Sequence, residues 1–291
     1  MNARVVTMAD LREVCGHHRT SGLWLVPPQV LANPLNGMAV AVVGAGGGCG
    51  ATTVALALAQ ELSQARVIEC RTAPLSTLAA ATTAELGTTD GGWQLGLREG
   101  TRHPLMIQRA PREAISPAKL PPPADYGDQH LTSTVLDVGW PLSQLTGWLA
   151  ASLAEAAATV VVTSATCHGM DHLEAALREI EARTQAPIFA VAGGAEPKRW
   201  PRELRASTGP RTRRLLEVGA LIPLAEDRGL RLRGLTPDPL PPAVTATGHE
   251  LSRYLAPLLA SAQPDVQSDV PPDEHCGSGW GQLVAVGRNP A

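Results

Sequence analysis

The stretch Gly44-Ala-Gly-Gly-Gly-Cys-Gly-Ala-Thr-Thr53 constrains this chain more than any other. An unbroken apolar run, Met38-Ala-Val-Ala-Val-Val43, precedes it. After it, Thr52 to Leu62 carries Val54, Leu58 and Leu62 at helical spacing. A buried strand that turns through glycines straight into a helix leaves backbone N–H groups and the positive end of the helix dipole converging on one point, which suits an anion. Glycines there let the main chain approach phosphate oxygens without Cβ clashes.

The rest of the chain repeats the strand-then-helix alternation. Arg66 to Cys70 reads as a second strand and Leu75 to Leu86 as an Ala-rich helix stopped by Gly87. Leu105 to Gln108 is a third short strand, after a glycine-punctuated segment, and Pro117 to Gly127 is a proline-rich loop. Strands over Thr134–Val138, Thr159–Thr163, Pro187–Val191 and Ala220–Ile222 follow. Helices are expected over Leu142–Glu155, Met170–Arg183 and Gly248–Ala262. Uniformly apolar strands alternating with helices predict an α/β fold: a doubly wound, mainly parallel sheet with helices on both faces, a three-layer sandwich. One such domain spans 38–262, behind an N-terminal leader at 1–37 and ahead of a Pro- and Asp-rich tail at 263–291 that is expected to be disordered. Within that tail, Trp280 to Val286 is a candidate docking segment.

Composition excludes several classes. A formal net charge of −3 gives no global field toward nucleic acid or an anionic membrane. The 5 cysteines (Cys15, Cys49, Cys70, Cys167 and Cys276) form no CxxC pair, which favours a reducing compartment. Asp10, Arg12 and Glu13 interrupt any apolar signal-peptide core, and no segment reaches the roughly 18 apolar residues of a membrane span. The expectation is a cytoplasmic protein. Lys119 and Lys198 are its only lysines.

Two kinds of phosphate loop fit the glycines. A dinucleotide-binding turn needs G-x-G-x-x-G or its Ala variant; Gly46 to Ala51 satisfies it, and Glu69 at the end of the second strand is placed to bind a ribose. That reading implies an NAD- or flavin-dependent oxidoreductase. The second kind rests on the helix-opening pair Thr52-Thr53. Here the loop resembles the deviant Walker A loop of the ParA/MinD-like P-loop ATPases, K-G-G-x-G-K-T-T/S. Gly47, Gly48, Cys49, Gly50, Thr52 and Thr53 match, and the two family lysines fall on Gly46 and Ala51. The resemblance continues in Asp137, which precedes Gly139 at a strand end, and in Gly219-Ala-Leu-Ile-Pro-Leu-Ala-Glu-Asp227. The Asp-x-Asp of the family appears as Glu69-Cys70-Arg71, and its adenine-reading Asn is replaced around Ala192-Gly193-Gly194. The G-A-T-T ending is similar to that of the CpaE/TadZ-like branch, and Leu78 to Glu85 resembles actinobacterial MinD-like members.

The resemblance implies ATP or ADP with magnesium as the cofactor. It places phosphate contacts on Gly46, Gly47, Gly48, Cys49, Gly50, Ala51, Thr52 and Thr53, and magnesium on Thr52 and Asp137. A P-loop lysine neutralises charge on the transferred phosphoryl group. Its loss costs on the order of 2–4 kcal/mol of barrier, by analogy with other electrostatic donors. The chain then reads as a degenerate nucleotide-binding protein with weak or absent hydrolysis, a positioning, assembly or partition-type accessory factor. A slow active ATPase is the variant of this reading, with Arg71 or a partner's residue in place of the lysine; Asp137 is the candidate catalytic residue. The family also implies a protein partner in a larger assembly and a homodimer, the latter without the lysine that Gly46 replaces.

Two further groups stand out. Cys49, Cys70 and Cys167 fall at strand ends, with His168 and His172 just beyond, a pattern compatible with a soft metal or redox site; Cys15-Gly-His17-His18 is a second, weaker pattern of that kind. Lys198, Arg199, Arg202, Arg205, Arg211, Arg213 and Arg214 form the one strongly basic stretch, a candidate contact for DNA phosphates or an acidic partner. No terminal amphipathic membrane helix is evident. Asp171 and His172 read as capping and surface residues at a helix start.

Overall fold

The computed structural model describes residues 34–35, 38–99, 103–123 and 133–261. The leader before 34, the tail segment 280–286, Cys15, His17, His18 and Cys276 lie outside the described residues.

The first apolar run forms β1 (Met38–Gly44), and the helix behind the glycines is α1 (Ala51–Glu61). Then come β2 (Ala65–Cys70), β3 (Ala84–Thr88), β4 (Gln94–Arg98), β5 (Leu105–Arg109) and β6 (Ser133–Val138). Next are α2 (Gly147–Ala154), β7 (Ala158–Ser164), α3 (Cys167–Glu181) and β8 (Ile188–Gly193). The chain continues through α4 (Arg202–Ala206), α5 (Pro210–Glu217), β9 (Leu221–Leu224), α6 (Arg228–Arg233) and α7 (Pro242–Ser261).

The strands make one 9-stranded sheet in the order β3-β4-β5-β2-β6-β1-β7-β8-β9. From β5 to β9 every pairing is parallel; β3, β4 and β5 pair antiparallel at one edge. Alternation along β1 shows why two layers of helix are needed. Val40 and Val42 join Val54, Leu58, Leu251 and Leu255 of α1 and α7 on one face. Ala41 and Val43 join Leu149, Leu173 and Leu177 of α2 and α3 on the other. A strand apolar on both sides is stable only inside such a sandwich, and the expected doubly wound architecture is what forms.

The expected helix over Leu75–Leu86 does not form. Two short 3-10 turns, Ala73–Leu75 and Leu78–Ala81, lead into β3. The cause is Glu69, whose 1% exposed carboxylate accepts the Ser76 hydroxyl and the Thr77 and Leu78 N–H groups. A buried anion that gathers those donors fixes a turn where a helix would need them for its own first turn. In place of the C-terminal part of that helix, β3 pairs with β4 as a hairpin that turns through Asp90-Gly91-Gly92. Shorter shifts have local causes. Helix α3 starts at Cys167 because the Thr166 hydroxyl caps Gly169 N–H, so Asp171 and His172 are not its caps. Helix α7 reaches back to Pro242, a residue suited to a first turn.

Candidate functional site

Strand order decides what the glycine loop can be part of. β1 lies between β6 and β7, and β6 separates it from β2. In a dinucleotide-binding turn the second strand lies directly beside the first and delivers its acid to the ribose. Here Glu69 is a strand further away and its oxygens are engaged with Ser76, Thr77 and Leu78. The oxidoreductase reading therefore finds no support in this fold. The strand beside β1 is instead the one that ends in Asp137.

The loop leaves β1 anchored by the Ala45 N–H, which donates to the Val162 carbonyl at 2.8 Å. Gly48 and Gly50 adopt left-handed φ of 71° and 92°, open to glycine with little cost. Gly50 is the N-cap of α1; no side chain caps that end and no acidic residue occupies its first turn. A helix end without a side-chain cap keeps its N–H donors available for a ligand. Gly47 and Gly48 have nothing within 4 Å of where a Cβ would lie, so this part of the loop borders open space.

Thr52 and Asp137, 85 residues apart, meet behind the loop. The Thr52 hydroxyl donates to Asp137 Oδ2 at 2.7 Å. Asp137 is 0% exposed, and among the described residues its Oδ1 has no hydrogen-bond partner. Burial pushes the Asp137 carboxyl up to about 6; the Arg71 guanidinium opposes that rise, the Glu69 charge adds to it, and the Thr52 hydrogen bond opposes it. A buried carboxylate with one oxygen unsatisfied beside a hydroxyl is a hard-oxygen donor pair of the kind magnesium takes.

Arg71 follows β2 and lies across Gly139, where a Cβ would come within 2.6 Å of its side chain. Its Nη1 donates to the Leu75 carbonyl at 3.1 Å, and its Nε stands 3.8 Å from Glu69 Oε1 with no hydrogen-bond acceptor among the described residues. Arg71 thus lines the same cavity as Gly44 to Thr53, with Thr77, Trp140, Pro141, Leu230 and Gly234. That cavity measures about 480 Å3. A second, of about 860 Å3, opens on the other side of the loop. It shares Gly48, Cys49, Gly50 and Thr53 and is lined further by Ser164, Gly193, Asp227 and Arg228.

Of the expected site residues, Gly46 to Thr53 and Arg71 line the first cavity, and Asp137 lies beneath it in contact with Thr52. Trp140, Leu230, Gly234 and Leu235 are site neighbours that no sequence signal marked. The cysteines do not gather. Among the described residues no group of three or more His, Cys, Asp and Glu side chains is placed to hold a metal. Cys70 is buried in the core and Cys49 half-buried, and burial raises both thiols, so neither is an available thiolate.

The basic stretch is partly neutralised. Arg211 pairs with Glu174 at 3.3 Å and Glu181 at 2.7 Å, and Lys198 with Glu196 at 2.6 Å. Arg205 and Arg213 donate to the Trp200 and Thr208 carbonyls. Arg199, Arg202 and Arg214 are exposed. Among the described residues no helix is long and apolar enough to cross a membrane.

No protein-family model matches this chain, and no curated protein matches it in sequence. Solved structures do match in shape. A putative plasmid partition protein from Borrelia burgdorferi, bound to AMPPNP, superposes with TM-score 0.51 at 11% identity, over 76% of this chain and 100% of the other. A plasmid partition protein from the same organism gives TM-score 0.50 at 10% identity, over 77% and 100%. A ParA family ATPase from Chlorobium tepidum gives 0.49 at 12%, over 76% and 100%. At such identities the likeness is one of architecture, and with the strand order it shows the fold alone: this chain has the α/β fold of the two plasmid partition proteins, a mainly parallel sheet between layers of helices.

Proposed function

We propose that the chain binds a nucleoside di- or triphosphate with magnesium at the glycine loop, hydrolyses it weakly or not at all, and serves as a positioning, assembly or partition-type accessory factor. The observation that carries this is the uncapped N-terminus of α1 beside a Thr52–Asp137 pair whose Oδ1 is buried without a partner. Backbone N–H groups from Gly46 to Thr53 hold the phosphates, and the larger cavity takes the nucleoside. Thr52 and Asp137 hold the magnesium, which neutralises phosphate charge when bound. That a partition protein of the same fold binds AMPPNP supports a nucleotide here. Within the proposal the nucleotide unit is 38–262, the chain is cytoplasmic, and its partners are another protein and a second copy of itself. The basic surface meets nucleic-acid phosphates or an acidic partner.

Weak hydrolysis follows from Gly46 and Ala51, which leave the loop without a lysine. One observation favours the slow-ATPase variant: the Arg71 guanidinium lines the phosphate-side cavity, and among the described residues its Nε has no hydrogen-bond acceptor, only the Glu69 carboxylate at 3.8 Å. Binding of labelled ATP, ADP and NAD with and without magnesium, followed by single-turnover hydrolysis, tests both. Magnesium-dependent ATP or ADP binding with no turnover supports the main reading. Turnover abolished by Arg71→Ala supports the variant, and binding of NAD alone refutes both.

A further inference from the structure

We propose that His168 and His172 form a binding site for a transition-metal dication of the zinc, nickel or copper kind on the outer rim of the glycine loop. Both residues lie on α3, four positions apart, so their side chains leave the helix on one face. Their rings are in contact, with centroids 3.9 Å apart and planes at 56°. His172 abuts the loop itself: a Cβ built on Gly46 would lie 3.0 Å from His172 Nδ1. The absence of a side chain at Gly46 is what makes room for that imidazole.

Among the described residues no hydrogen bond or ion pair engages either ring. The rings are packed against each other and have to swing apart to about 5 Å between centroids for one nitrogen of each to reach a single ion at about 2.1 Å, a side-chain rotation that breaks no hydrogen bond. Neutral imidazole is a borderline ligand that prefers zinc, nickel and copper over magnesium or calcium. The same i, i+4 pair on a helix supplies two of the ligands in zinc sites of the H-E-x-x-H kind. Here the intervening residues are Gly169, Met170 and Asp171, so the pair lacks the glutamate that acts as base in the H-E-x-x-H pattern. With no third protein ligand among the described residues, water or an anion completes the coordination. Affinity then falls in the micromolar range, well short of a four-ligand structural site. A dication held there stands beside a phosphate-type loop that carries no lysine.

The test uses the full chain purified without a histidine tag, titrated with Zn2+ by calorimetry in the presence of excess magnesium, and with Co2+ by visible absorption. His168→Ala, His172→Ala and the control His249→Ala are compared with wild type. His168 is exposed, so its replacement leaves the fold intact, which a thermal melt verifies. The expected result is one zinc-binding event that weakens about 10- to 100-fold in each of the two α3 variants and is unchanged in His249→Ala. Zinc is also expected to raise the melting temperature of wild type and not of either α3 variant. Isotherms identical in wild type and both α3 variants would overturn the proposal, because the metal would then sit on histidines and cysteines elsewhere. Absence of zinc binding below millimolar concentration would overturn it equally.

Discussion

In the proposed site Asp137 holds the magnesium, and the same buried carboxyl carries a cost to the fold. Its carboxyl is raised from 3.8 to about 6, chiefly by burial. The folded chain therefore keeps this proton to higher pH than the unfolded chain does. The sign follows: ionisation opposes folding, with no cost below about pH 4, a growing cost between pH 4 and 6, and the full cost above. A shift of roughly two units corresponds to at most about 3 kcal/mol. Asp137→Asn keeps an acceptor for the Thr52 hydroxyl while removing the charge. It is expected to raise the melting temperature of the ligand-free protein at pH 7.5, to lose that advantage as the pH falls toward 4, and to abolish magnesium-dependent nucleotide affinity. Thermal melts across pH, with and without magnesium, check all three. A second residue-scale prediction concerns the missing lysine. Ala51 opens α1 and is 8% exposed, beside the cavity. Ala51→Lys is expected to raise ATP hydrolysis on the order of a hundredfold, as returning a charge-assisted contact worth a few kcal/mol should. An unchanged rate would mean that the lysine's absence is not what limits turnover. Gly46→Lys is expected to displace the His172 ring, since a Cβ at 46 lies 3.0 Å from its Nδ1, and so to help more when combined with His172→Ala.

Among elements, α1 and α7 pack so closely that one glycine decides the fit. A Cβ on Gly248 would lie 2.3 Å from the Ala57 carbonyl oxygen, a backbone atom with no rotamer to yield. In an exposed helix Gly→Ala stabilises by about 1 kcal/mol. Here the steric term wins, and Gly248→Ala is expected to destabilise by about 2–3 kcal/mol, as overpacking of a tight core does. Denaturant unfolding measures it; a stabilised variant would mean that the two helices separate easily. The same scale shows what could be read from the sequence. β1, the loop and α1 were legible because strand run, glycines and helical stripe follow one another without a break. Thr52 and Asp137 were legible as residue types at strand and helix ends. The expected Leu75–Leu86 helix failed because its fate depends on Glu69, whose carboxylate reaches forward to Thr77 and Leu78, a tertiary effect that local propensity does not contain. Trp140, Leu235 and the contact of His172 with Gly46 were not legible, since each depends on which strands lie side by side.

Across the whole molecule, the antiparallel edge is tied back to the site by a single buried cation. Arg98 of β4, 1% exposed, donates to the Ala81, Thr236 and Asp238 carbonyls. That clamp holds the segment just beyond Gly234 and Leu235, which line the loop cavity. The positive charge of the basic stretch from Lys198 to Arg214 is distributed differently. Arg211 and Lys198 are paired with glutamates, while Arg205 and Arg213 hold main-chain carbonyls in their own segment. Only Arg199, Arg202 and Arg214 of the stretch are exposed and outside these bonds. Each phosphate neutralised contributes about −0.9 to the slope of log K against log salt on duplex DNA. If this surface meets DNA, the slope is expected to be about −2 to −3, far shallower than the full run of basic residues would give. Arg199→Ala, Arg202→Ala and Arg214→Ala should each reduce its magnitude by about one. Fluorescence anisotropy with a labelled duplex over a range of salt concentrations measures this directly. A steep slope insensitive to the three variants would place DNA on another surface. Binding that ignores salt would remove phosphate contacts altogether and leave the basic face to an acidic protein partner.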